Sequence, residues 1–91
     1  MVLVEQTGQD DPFTFNVTVQ ENGGKTRHQV TMSQSTYKKL TGGKVTAERC
    51  IQAAFLFLLD REPKESIMSR FDVTVISRYF PNFEQELGRY L

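Results

Sequence analysis

The chain has 91 residues, 38% of them hydrophobic, with eleven basic and eleven acidic side chains and no tryptophan. That composition sets aside disordered and membrane-bound classes, and the longest apolar run, Ala53 to Leu59, falls far short of the ~20 residues that cross a bilayer. The opening Met1-Val2-Leu3-Val4-Glu5-Gln6 has no basic stretch followed by an apolar block, and a lone Cys50 cannot form an internal disulfide, so a soluble, cytoplasmic protein is expected.

Zero net charge conceals a polarity. Lys25, Arg27, Lys38, Lys39, Lys44 and Arg49 crowd into residues 25–49 against the single acid Glu48, whereas the first 24 residues carry only acids. Clustered Lys and Arg attract polyanions, so this block is the candidate contact surface for nucleic acid or another anion.

In chain order, residues 1–11 are expected to form a flexible N-terminal arm. From Phe13 to Met32 the period is two. Phe13, Phe15, Val17 and Val19 alternate with Thr14, Asn16, Thr18 and Gln20, the pattern of a half-buried strand. Asn22-Gly23 suits a type I′ turn, and folding there pairs Val19 with Thr26, Val17 with His28, Phe15 with Val30 and Phe13 with Met32. The other face then carries Arg27, Gln29 and Thr31.

Ser33 is the predicted N-cap of a short helix, Gln34 to Leu40, stopped by Thr41-Gly42-Gly43. Thr46 caps a second helix with Glu48 at its positive end. Cys50, Ile51, Ala54, Phe55, Leu58 and Leu59 form its apolar stripe, and Ala53, Leu56 and Phe57 widen it to nearly the whole circumference. Such a helix is either a central core helix or half of an oligomer interface. Pro63 sits where a new helix begins. Beyond it, Ile67, Met68 and Phe71 fit one face of a short helix, and Asp72 is positioned to cap another that contains Val75, Ile76, Tyr79 and Phe80. The β-branched run in residues 71–77 supports the alternative of a third strand. Phe83, Leu87 and Tyr90 or Leu91 suggest a final amphipathic turn.

The order strand, short helix, turn, longer helix over residues 26–62 resembles the ribbon-helix-helix family of DNA-binding dimers. The resemblance implies that Arg27, Gln29 and Thr31 would enter the major groove, where Arg reads guanine and Gln reads adenine. It also implies phosphate contacts near Lys44 and Thr46, with Lys25, Lys38, Lys39 and Arg49 adding charge. Residues 65–84, Glu-Ser-Ile-Met-Ser-Arg-Phe-Asp-Val-Thr-Val-Ile-Ser-Arg-Tyr-Phe-Pro-Asn-Phe-Glu, resemble the corresponding run of small uncharacterised bacterial proteins, which brings no activity with it. The plain reading of Arg27, Gln29 and Thr31 is the solvated outer face of a hairpin.

Catalytic chemistry has little to build on. His28 falls on the apolar face beside Val17, as a hydrogen-bonded core histidine would. Cys50 shares a helix face with Ile51 and Ala54, as a packed thiol would. Gly24-Lys25-Thr26 and Gly42-Gly43-Lys44 echo phosphate-loop endings, but the first is a hairpin turn and the second is followed by Val45 in place of a hydroxyl. The expectation is an α+β fold, an antiparallel hairpin packed on three or four short helices around Ile51, Ala54, Phe55 and Leu58. Its expected function is that of a small non-enzymatic interaction module, without cofactor, metal or membrane. Its partner is an unknown protein or a second copy of the chain, through Leu56, Phe57, Tyr79 and Phe80; the alternative is DNA binding.

Overall fold

A computed structural model describes residues 1–91. Its fold is α+β: a four-stranded mixed sheet of order β1-β2-β3-β4, with helices on one face. β1 (Val2–Gly8), β2 (Phe13–Glu21) and β3 (Gly24–Met32) run antiparallel, while β4 (Arg70–Asp72) lies parallel to β3. The hairpin has the register expected from its turn, with Val19 opposite Thr26, Val17 opposite His28 and Phe13 opposite Met32. Asn22 and Gly23 have φ of 54° and 77°, the two positive values that a type I′ turn requires.

Residues 2–8 are not a flexible arm. Val2 and Val4 turn inward while Leu3, Glu5 and Thr7 turn outward, and the ladder places Val2 opposite Val19 and Val4 opposite Val17. The strand gains its stability by adding to a preformed edge, which its own residues do not report.

α1 (Gln34–Thr41) and α2 (Ala47–Leu59) begin at the expected caps. The Ser33 hydroxyl accepts from Thr36 N–H and the Thr46 hydroxyl from Arg49 N–H. Gly42 closes α1 in the left-handed region, at φ 65°, which glycine adopts without penalty. α2 is the core helix. Cys50, Ile51, Ala54, Phe55 and Leu58 are buried; Phe55 meets His28 at 5.3 Å between ring centroids and Phe71 at 6.0 Å, and the Cys50 thiol lies 3.8 Å from the Met32 sulfur.

After α2 the structure departs from the helical spacing of Ile67, Met68 and Phe71. A 3-10 turn at Lys64–Ser66 leads into extended chain, and Phe71 enters β4 opposite Val30. Asp72 does act as a cap, accepting from Thr74 N–H at the start of a 3-10 turn, Val73–Val75, that continues into α3 (Ile76–Tyr79). Residues 70–76 thus divide between the two alternatives, strand first and helix after. α4 (Phe83–Glu86) and a last 3-10 turn, Leu87–Arg89, lie against the far side of α2. There Phe83 packs edge-on to Phe57 at 5.0 Å.

Candidate functional site

One buried histidine ties the sheet to the segment that shapes an apolar concavity. His28 Nδ1 lies 2.7 Å from the Met68 carbonyl oxygen and Nε2 lies 2.8 Å from the Thr26 hydroxyl. A carbonyl only accepts, so Nδ1 carries the hydrogen that bonds it. Next to it, Gln29 N–H donates to the Ser69 carbonyl at 2.8 Å. These bonds fasten residues 68–69 alongside β3 and turn the Met68 side chain outward.

The segment, α2 and α3 then enclose an apolar pocket of about 390 Å³, within the size range of small ligand-binding clefts. Leu58, Ile67, Phe71 and Ile76 form its buried floor, and Met68, Tyr79 and Phe80 form its rim. Tyr79 is 67% exposed and Met68 41%, so the rim presents large apolar side chains to solvent. Glu62 and Ser66 are the polar members of the lining. Desolvation raises the Glu62 carboxyl above its ordinary pKa, and as the acidic member of the lining it is the group there that would attract a cation.

The residues expected at an oligomer interface separate. Tyr79 and Phe80 line the pocket, and Leu56, 39% exposed, lies elsewhere on α2. Phe57 belongs to the core at 0% exposure. It contacts Phe80, Phe83 and Tyr90 edge-on, and the Arg61 guanidinium sits 3.6 Å above its ring. The C-terminal turns cover the side of α2 that its sequence leaves apolar. The lining residues Glu62 and Met68 carry no sign of a site in the sequence. An isolated methionine and an acid after a helix give no signal until three segments converge on them.

The basic block also separates. Lys25 and Arg27 lie on the outer face of the sheet, whereas Lys38 and Lys39 on α1, Lys44 in the turn, and Arg49 on α2 belong to the helical layer covering the opposite face. Lys39 pairs with Glu84 at 3.2 Å, and Arg49 lies beside Glu48 and Val4. Arg27 and Gln29 are exposed, with Arg70 opposite Gln29 and Glu5 in the same shallow surface depression. Thr31 is not free, since its hydroxyl donates to Asp72 Oδ1 at 2.6 Å. β3 has β2 along the whole of one side, and β4 along the other only at Gln29, Val30 and Thr31.

No group of three or more His, Cys, Asp or Glu is placed to hold a metal ion, and no helix is long and apolar enough to cross a membrane. Burial pushes the Cys50 thiol up to about 11, so at neutral pH it is a packing group. Compared with protein-family models, curated proteins and solved structures, the chain gives no significant match.

Proposed function

We propose that this chain is a small, non-enzymatic interaction module that self-associates and seats the apolar side chains of a protein partner in the pocket beneath Tyr79. The observation that carries this reading is the pocket itself: an apolar floor of four buried side chains under an exposed rim of Met68 and Tyr79. Exposed rings around a concavity are the usual seat of an inserted anchor residue. Glu62 sets the chemistry of the occupant, an apolar anchor next to a Lys or Arg. Selection from a displayed peptide library against the parent chain, with each enriched peptide then titrated against the Tyr79→Ser chain, tests it. Enriched peptides should share an aromatic or aliphatic anchor with a nearby basic residue. Enrichment of peptides that bind the Tyr79→Ser chain equally well rules the pocket out. Sedimentation velocity from micromolar to submillimolar concentration tests self-association, and a single monomeric species throughout rules that out.

One observation favours a second reading, nucleic-acid binding by the outer sheet face. Arg27 and Gln29 are exposed there, and Arg70 extends the row. β2 lines the whole of one side of β3 and β4 lines Gln29 to Thr31 of the other, which favours a flat contact made by a single chain over a shared ribbon. Random-sequence DNA titrated at ~50 mM salt, where phosphate contacts are strongest, should shift the Arg70 and Arg27 resonances if this reading holds. Absence of binding there ends it.

A further inference from the structure

β1 is an edge strand, and its hydrogen-bonding phase is fixed. Met1 and Gln20 exchange both backbone hydrogen bonds, at 2.7 and 2.8 Å. The alternation of an antiparallel ladder then puts Leu3 and Glu5 at hydrogen-bonded sites opposite Thr18 and Asn16, and turns the N–H and C=O of Val2, Val4 and Gln6 to the open side. Edges of this kind are commonly guarded by Lys, Pro or a bulge. The strand here reads Val-Leu-Val-Glu-Gln-Thr-Gly, its one irregularity falls at its end, between Gln6 and Gly8, and Leu3 beside the edge is 50% exposed.

We infer that this edge pairs with the β1 edge of a second copy of the chain, antiparallel about a two-fold axis through Val4, so that two four-stranded sheets become one. The inference rests on the self-association proposed above and supplies its interface. With the axis at Val4, Val4 meets the partner's Val4 and Val2 meets the partner's Gln6, and all three outward residues are used, for about six backbone hydrogen bonds. On the outer face Leu3 lies across from the partner's Glu5. Moving the axis to Glu5 brings Glu5 against the partner's Glu5, like charges directly opposite, which destabilises the pair. Moving it to Leu3 leaves Gln6 without a partner. A one-residue slip between the strands puts the donors and acceptors out of phase and reverses the faces. On the helical side Val4 is flanked by Glu48 and Arg49, whose opposite signs let two copies meet without a field of one sign. The pocket lies by β4, at the other edge of the sheet, so pairing through β1 leaves both pockets open and makes the dimer bivalent for its partner.

Two charge variants at an exposed outer-face position test the register. Leu3→Glu sets two glutamates against the two copies of Glu5 and should raise the dimer dissociation constant about tenfold by sedimentation equilibrium. Leu3→Lys, which faces the same Glu5 with the opposite sign, should hold the dimer at least as tightly as the parent. Oxidising an equimolar mixture of Leu3→Cys and Glu5→Cys chains should give a disulfide-linked dimer that neither variant gives alone, Cys50 being buried. An unchanged dissociation constant in Leu3→Glu, or cross-linking by Leu3→Cys alone, overturns the β1 interface while the self-association of the parent chain still stands. A parent chain that stays monomeric overturns both.

Discussion

Truncating Phe57 separates a core role from an interface role. The ring is fully buried, with edge-on aromatic contacts at 5.0, 5.8 and 6.0 Å and a guanidinium 3.6 Å above it. Removing a buried phenylalanine side chain costs about 3–5 kcal/mol, through lost transfer energy and the cavity left behind. A chain of 91 residues has a total stability of about 5–14 kcal/mol at the usual value per residue. Phe57→Ala therefore removes about a fifth or more of it and lowers Tm by roughly 12–40 °C, at about 4–8 °C per kcal/mol. Phe57→Leu keeps most of the volume and loses the ring geometry, at about 1–2 kcal/mol, which moves the urea midpoint down by about 1 M. Tyr79→Ser should stay within about 0.5 kcal/mol of the parent, because that ring is 67% exposed. Urea unfolding followed by circular dichroism, at a concentration that keeps the oligomeric state constant, measures all three. If Phe57→Ala unfolds within about 1 kcal/mol of the parent, the placement of Phe57 in the core is wrong; if Tyr79→Ser costs as much as Phe57→Ala, the exposure of Tyr79 is wrong.

Three further outcomes are expected. Burial pushes the Asp72 carboxyl up, but hydrogen bonds from Thr31 and Thr74 outweigh it and hold the group below its ordinary 3.8. A depressed carboxyl stabilises the fold above its unfolded pKa and loses that contribution as pH falls through the folded value, so Asp72→Ala should cost about 1 kcal/mol at pH 7. The gap to the parent should close below about pH 4; a gap that persists at pH 2 contradicts it. With its thiol pushed up to about 11, Cys50 is about a thousandth ionised at pH 8. Iodoacetamide should label it only at the rate of unfolding, and rapid labelling of the native chain would show an accessible thiol. His28→Leu leaves the Met68 carbonyl without its donor and should cost about 1–3 kcal/mol. The same change should speed hydrogen exchange at Gln29, whose N–H bonds Ser69, and weaken any peptide held at the Met68 rim. Unchanged exchange at Gln29 would mean that His28 does not fasten this segment.

Much of the fold can be read along the chain because its causes are local. The Asn22-Gly23 turn and the alternation of Phe13 to Val19 set the hairpin register. The Ser33 and Thr46 caps and the left-handed Gly42 set the bounds of α1 and α2. Each depends on residues at most a few positions apart, whose backbone angles and capping bonds carry the signal. The candidate site is less legible. Tyr79 and Phe80 stand out as apolar residues near the C-terminus, but Glu62 and Met68 gain significance only where α2, residues 64–69 and α3 meet.

Sequence alone therefore determined the hairpin, the two capped helices, and an α2 too apolar to lie on the surface. Tertiary structure decided what covers each apolar face. Phe57 is interior because Phe80, Phe83 and Tyr90 return to it, and residues 2–8 are a strand because β2 offers them an edge. It also decided that the basic block from Lys25 to Arg49 lies on two sides of a sheet. Periodicity and capping act within one or two turns of chain. Burial is settled by contacts between residues as far apart as His28 and Met68, and these exist only once the chain has closed on itself.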